Sequence, residues 1–382
     1  MAEMKQRELG QTGLKVGEIG FGTEYLHGQS SEAVAEVVRA AVARGVSYFD
    51  ILWAFPKYLD DLGAAFAGLR DRVRLTVHLG CAVSDGQSAV TREADEAEGI
   101  FADMLRRLGT DHADVVLVQN VDRADDYERI VGSGGLLDLA RRLKEEGRAR
   151  FIGMSLHMTP VGEKVARSGC FDVLMFPINP AFDALPGEVE LEEMAASGTE
   201  PGEAREAGAE RRRLYQTCAA EGVGLVGMKP FAGGGFFHLS QEQRGGLTPV
   251  RLLNYALSQP GVCTVVPGVK SVEELSAALE FVEATEEERE FGEALAGSAW
   301  SLRGSCVFCN HCLPCPSGID IGRTLRLLAI ADRGASAALR AEYEALPAKA
   351  SECVECGVCE ERCPFGVDAV GEVRRAAEVL EG

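Results

Sequence analysis

The sequence predicts an α/β chain: a (β/α)8 TIM barrel followed by a small, mainly helical domain. Short β-branched or aromatic runs alternate with longer segments whose apolar residues recur every three or four positions, the pattern of repeated βα units. The repeat occurs eight times in about 280 residues, the size of a barrel whose chemistry sits on the loops after the strand C-termini. Cysteine then marks a change of composition near Ser298–Gly304, because eight of the 12 cysteines fall between Cys306 and Cys363. The expected domains are residues 1–300 and 301–382.

Strands are expected at Gly17–Thr23, Val46–Asp50, Val73–Leu79, Ala113–Gln119, Phe151–Ser155, Val173–Phe176, Gly224–Met228 and Thr264–Val266. Helices are expected at Ser31–Ala43, Ala94–Arg107, Leu136–Glu146, Glu210–Glu221, Pro249–Ser258 and Val272–Val282. A doubly wound open sheet is the alternative, but no G-x-G-x-x-G follows a strand to support it. Pro186–Glu210 breaks the rhythm with eight Glu and one Arg among small residues. It reads as an exposed excursion: either a lid over the barrel mouth or a solvated insertion.

The chain has 382 residues, with 39 Lys plus Arg against 59 Asp plus Glu and a net charge of −20. That balance disfavours nucleic acid and anionic membrane surfaces as partners. No apolar run approaches a membrane span, and Met1–Gly20 lacks the apolar centre of a signal peptide, so a cytoplasmic protein is expected. In that reducing compartment the cysteines are read as metal ligands or catalysts rather than disulfides.

Their spacing is the strongest signal in the chain. Cys306-x2-Cys309-x2-Cys312-x2-Cys315-Pro316 is followed by Cys353-x2-Cys356-x2-Cys359-x3-Cys363-Pro364. Three thiolates two residues apart can hold three irons of a cubane, and the fourth iron takes the remote Cys-Pro of the other run, as in two-cluster ferredoxins. By that rule Cys306, Cys309, Cys312 and Cys363 hold one [4Fe-4S] cluster, and Cys353, Cys356, Cys359 and Cys315 the other. The first run is one residue short before Cys315, and structural zinc on the paired C-x2-C motifs is the competing reading, although it leaves four cysteines unexplained. His311, inside the first run, reads as a hydrogen-bond donor to the cluster surroundings. Gly322–Leu346 is helical in period, so the tail is expected to be a helical ferredoxin-like domain. Cys81, Cys170, Cys218 and Cys263 read as small buried apolar residues.

The N-terminal part resembles the aldo-keto reductases. The matches run in order: Arg7–Val16 with Gly20-Phe21-Gly22-Thr23, Gly45–Asp50, Leu62-Gly63, Gly147–Ser155 with His157, Asn179, Met228-Lys229-Pro230 and Val266–Ser271. With the cysteine-rich tail, the likeness is to the iron-sulfur branch of that family, which commonly has the shorter first cysteine run. The resemblance implies NADPH at the strand C-termini and hydride transfer to a carbonyl of a small molecule. It also implies that Lys270 and Ser271 meet the cofactor's 2′-phosphate, that Ser155 and Asn179 meet its nicotinamide amide, and that Gly233 and Gly234, in the triplet ending at Gly235, cover its pyrophosphate.

The catalytic pattern departs from that family. Its members use an Asp, a Tyr, a Lys and a His; here the Asp is Asp50, while Phe55, His78 and Gln119 occupy the other three places. An alkoxide forming after hydride addition needs a proton donor, and phenylalanine offers none. A lysine serves to depress the tyrosine pKa, so losing both together is coherent. His78 is the replacement acid or base to expect, since an unperturbed imidazole titrates near pH 6.5; the competing reading is a packing histidine. Gln119 can orient a substrate oxygen, and Asp50 can partner His78 or simply terminate its strand. Tyr25, His27 and Trp53 read as pocket wall. The expected function is therefore iron-sulfur oxidoreduction of a small molecule with an altered tetrad; the alternative is a non-catalytic barrel that docks a redox partner protein. Because NADPH gives electron pairs and a cubane takes single electrons, a flavin or quinone-like group is the converter that a direct relay requires.

Overall fold

The computed structural model describes residues 3–185, 204–298, 300 and 302–382. Eight strands lie side by side in chain order: Phe21–Gly22, Tyr48–Ile51, Arg74–Leu79, Ala113–Val118, Ala149–Ser155, Val173–Pro177, Gly224–Met228 and Val262–Val266. The pairings resolved along this sheet are parallel, and parallel bridges from Ile19 to Val265 and Gly22 to Gly268 bring the first strand to the last. The result is a nearly closed eight-stranded barrel. Its strands read as continuous apolar runs because both faces are covered; every residue of Ala113–Val118 is buried.

The expected first strand, Gly17–Thr23, is two pieces. Lys15–Gly17 pairs antiparallel with Gln6–Glu8, a hairpin outside the barrel, and only Phe21–Gly22 joins the barrel sheet. Gly20 lies between them because a Cβ there would stand 3.0 Å from Thr264 Oγ1 and 3.1 Å from the Tyr48 carbonyl; closure of the barrel leaves no room for a side chain. The remaining strands and helices fall within a few residues of expectation, with one larger exception: the helix expected from Glu210 begins at Ala204 and runs to Glu221. The acidic excursion is otherwise residues 186–203, outside the described residues. Unexpected elements include the helix Pro56–Phe66 and a hairpin of Cys81–Ser84 with Gln87–Val90.

By its internal contacts the chain forms two units, residues 1–178, 223–230 and 263–284, and residues 179–222, 231–262 and 285–382. The first holds nearly all of the barrel strands. The second holds the cysteine-rich segment, with helices Ile321–Ala331, Ala337–Glu344 and Ala369–Leu380. Each of these three begins at a side-chain cap, Asp320, Ser336 or Asp368, which accepts from a backbone amide of the first turn. Ile319, Leu325, Leu328, Tyr343 and Val373 form one apolar cluster of this unit. Phe236, Leu252, Tyr255, Phe291, Leu302 and Phe365 form another. Between helices of the same unit, the fully buried Asp183 accepts from Tyr215 (2.5 Å), Tyr255 (2.7 Å) and the equally buried Arg211 (3.2 Å). Such a pair is held only because hydrogen bonds replace the lost water.

Candidate active site and cluster sites

At the C-terminal ends of the second and third strands, Asp50 Oδ1 stands 2.9 Å from His78 Nε2. Asp50 pairs in register with Thr76, and His78, two residues on, points to the same face of the sheet. Both are buried, His78 being 1% exposed. The carboxylate can only accept, so the Nε2 atom carries the proton. His78 Nδ1 is then the open ring position, and it has no hydrogen-bond partner, nor has the buried Gln119 Oε1 on the loop after the fourth strand. Gln119 is anchored by its backbone N–H, which donates to the Leu79 carbonyl (3.0 Å).

Phe55 caps the helix Pro56–Phe66, with Pro56 in its first turn. Its ring stacks on His27 at 4.2 Å, and Trp53 lies 6.2 Å away, so these aromatics form a wall beside Asp50's strand. Tyr25 is largely exposed. One helical turn beyond Phe55 is a tyrosine that the motif comparison passed over. Tyr58 hydrogen-bonds Thr23, whose hydroxyl donates to the Asp50 carbonyl at 2.6 Å. Burial pushes the Tyr58 phenol well above its ordinary pKa, so it braces the strand end and is a poor proton donor.

Sequence reasoning gave no role to the charges around Asp50. Glu24, after the first strand, has its carboxyl pushed up by burial and then by the Asp50 charge. Lys229, after the seventh, has its ammonium pushed down by burial, against the fields of Glu24, Asp50 and Asp122. Lys229 also adopts a left-handed backbone, φ 53°, which is uncommon for a side-chain-bearing residue. A second carboxylate–imidazole pair lies after the fourth and fifth strands. Asp122 accepts from the His157 amide (2.5 Å) and faces His157 Nδ1 (3.0 Å).

Among the cofactor candidates of this unit, Ser155 is buried at the end of the fifth strand. Ser271 caps the helix Val272–Glu283 by accepting from the Glu274 amide, and the exposed Lys270 ammonium is 3.7 Å from Glu274. In the second unit, Asn179 Oδ1 caps a short helix by accepting from the Phe182 amide at 2.9 Å. Gly233 and Gly234 both take left-handed φ in the turn before Gly235.

The eight tail cysteines gather around two voids. One is lined by Cys306, Cys309, Cys312 and Cys363, together with Cys359. The other is lined by Cys315, Cys353, Cys356 and Cys359, together with Cys312. The crossing of Cys315 and Cys363 between the runs is thus present in the fold. Cys309 comes close to Gly292, where a Cβ would stand 2.9 Å from its sulfur. Among the described residues no three His, Cys, Asp or Glu side chains converge as a single metal ion requires. Burial pushes the Cys306 and Cys312 thiols up to about 12 and Cys309 up to about 11, so thiolates there need a cationic core to balance them; the four-sulfur sets fit a cubane. His311 is directed to carboxylates, 3.7 Å from Glu290 and 3.4 Å from Glu293. All twelve cysteines are free, and of the scattered four Cys170 is only half-buried, receiving a hydrogen bond from Arg141 at 3.3 Å.

Comparison with known proteins finds two domain families in the chain. Residues 17–181 match the aldo/keto reductase family and residues 305–368 a 4Fe-4S dicluster domain. The uncharacterized oxidoreductase YqkF of Bacillus subtilis is 24% identical over 304 residues, 75% of this chain and 94% of that protein. L-galactose dehydrogenase of Arabidopsis thaliana is 28% identical over 163 residues, 41% of this chain and 49% of its own. Two solved structures share the fold. An aldo-keto reductase from Bacillus halodurans in its holo form has a TM-score of 0.58 at 23% identity, over 78% of this chain and 97% of that one. A putative aldo-keto reductase from Pseudomonas aeruginosa has a TM-score of 0.56 at 22% identity, over 73% and 94%. No helix among the described residues is long and apolar enough to cross a membrane. The chain combines an aldo/keto reductase domain with a C-terminal 4Fe-4S dicluster domain.

Proposed function

We propose that this protein is a cytoplasmic oxidoreductase that interconverts a carbonyl and an alcohol on a small molecule, with His78 in place of the family's tyrosine acid. As sequence modules, residues 1–300 supply that chemistry and residues 301–382 the iron-sulfur centres. The observation that carries the reading is the buried contact of Asp50 Oδ1 with His78 Nε2 at 2.9 Å.

Asp50 fixes the tautomer and steadies the imidazolium, leaving Nδ1 to give or take a proton at a substrate oxygen. Gln119 Oε1, without a donor of its own, is suited to accept from a substrate hydroxyl. His27, Trp53 and Phe55 offer an aromatic wall to an apolar part of the substrate. Lys270 and Ser271 are suited to the cofactor's 2′-phosphate, with the Glu274 carboxylate 3.7 Å from the Lys270 ammonium opposing it, and Ser155 to its nicotinamide amide. In the tail, Cys306, Cys309, Cys312 and Cys363 would hold one cluster and Cys315, Cys353, Cys356 and Cys359 the other. When bound, NADPH supplies a hydride and the clusters supply one-electron transfer. The test is steady-state NADPH oxidation by anaerobically purified protein across a panel of aldehydes and ketones. Turnover that falls at least 100-fold in His78→Gln supports the reading; fast turnover unaffected by that change overturns it.

A further inference from the structure

We propose that Glu352–Glu361 is the face on which a basic one-electron carrier protein docks, next to the cysteine set Cys315, Cys353, Cys356 and Cys359, where the electron is exchanged. The inference goes beyond the carbonyl chemistry and needs only that the tail cysteines hold their clusters.

The two voids differ in what covers them. Buried Val307, Leu325, Phe365 and Val367 wall the first, and none of Cys306, Cys309, Cys312 and Cys363 is exposed. The second is walled in part by Pro316, Val354 and Cys356, all exposed. Val354 is 69% exposed, the most of any large apolar side chain among the described residues. Close by, Gly357 takes a left-handed φ of 76°, and a Cβ there would meet nothing within 4 Å, so a partner's surface can come near. Cys312, Ile321 and Cys359 line both voids. Single side chains therefore separate the two sites, and an electron held at the covered one can reach the open one.

Charge selects the partner. Glu352–Glu361 contains four Glu and no Lys or Arg, and all four are exposed. Two cations stand nearby: Arg374 is paired with Glu355 at 2.8 Å, and Arg362 donates to the Pro314 carbonyl at 2.8 Å. The surplus is negative, so the carrier's face is positive. Electron-transfer encounters bury less than about 1,200 Å², an area for which one apolar contact inside a charged rim is enough. Such a rim sets the encounter rate and its salt dependence. The exchange balances one for one: the reduced cluster gives up the electron that the carrier's redox centre takes, with no bond made or broken and no proton moved.

Two experiments on the anaerobic holoprotein test this, with cytochrome c, a lysine-rich haem carrier, as the probe. After carbodiimide coupling of the wild-type chain to cytochrome c, mass spectrometry is expected to find cross-links on Glu352, Glu355, Glu360 or Glu361; cross-links confined to other carboxylates overturn the proposal. In stopped flow, transfer from the dithionite-reduced protein to cytochrome c is expected to slow as salt rises. It is expected to fall about 10-fold in Val354→Lys and in Glu361→Lys, with iron content and the electron paramagnetic resonance of both clusters unchanged. Glu145→Lys, the same charge change on the barrel helix Leu136–Glu145, is expected to stay within about twofold of wild type. Equal slowing in Glu145→Lys and Glu361→Lys overturns the docking face in favour of overall charge. Unchanged rates in Val354→Lys and Glu361→Lys overturn it outright. Neither experiment uses NADPH or a carbonyl, so failure of the carbonyl reading leaves this result standing.

Discussion

Replacing His78 in two ways separates its hydrogen bond from its proton. His78 is 1% exposed and its Nε2 donates to Asp50 Oδ1 at 2.9 Å. His78→Ala removes that donor and leaves a buried carboxylate without it, a loss of about 3–5 kcal/mol. His78→Gln keeps an N–H of similar reach, so its cost stays near the net worth of one hydrogen bond, about 0.5–1.5 kcal/mol. The two variants should therefore differ by about 2 kcal/mol or more in chemical denaturation followed by circular dichroism. In rate they should be alike, because neither can exchange a proton: both should lose about 10²–10⁴ in kcat. Equal stability of the two variants would show that the Asp50 contact contributes nothing. Retained turnover in His78→Gln would show that the imidazole is not the acid.

Cys315→Ser and Cys363→Ser should each cost one cluster while sparing the other, lowering iron from about eight to about four atoms per chain; loss of both clusters in either variant would contradict independent voids. Glu24→Gln tests the crowding of charge near Asp50. A carboxyl whose folded pKa is raised gives stability below its unfolded pKa and loses it as pH rises through the folded value. At pH 7, above its unfolded pKa, Glu24 is therefore a net cost whether it ionises or takes up a proton, and the Gln variant should melt higher there, with the advantage gone below about pH 4.

The barrel was legible because its signals are local. Ser31–Ala43 and Pro249–Ser258 have the expected bounds because Ser30 and Thr248 cap them by accepting from Ala33 and Arg251. The first strand was misjudged since an apolar run does not say which sheet it joins: Lys15–Gly17 goes to the hairpin and Phe21–Gly22 to the barrel. The start at Ala204 was hidden by a Glu- and Gly-rich composition that lacks a clear 3.6-residue period. In the site, motif alignment located Asp50, His78 and Gln119, one per strand end. Tyr58 and Glu24 escaped, and Lys229 and His157 entered only as motif matches without a role, because what they do comes from contacts between loops far apart in sequence. The crossing of Cys315 and Cys363 is what cubane ligation and the spacing lead one to expect, and the two voids gather the cysteines accordingly.

The central claim is that the barrel handles electron pairs and protons while the tail handles single electrons, so that electron flow from NADPH to the clusters needs an added flavin or quinone-like group. Anaerobic titration of the holoprotein with NADPH, followed by visible absorbance and electron paramagnetic resonance, tests it directly. The account predicts nucleotide binding with the clusters left oxidised until a flavin is added; bleaching of the clusters by NADPH alone would contradict it.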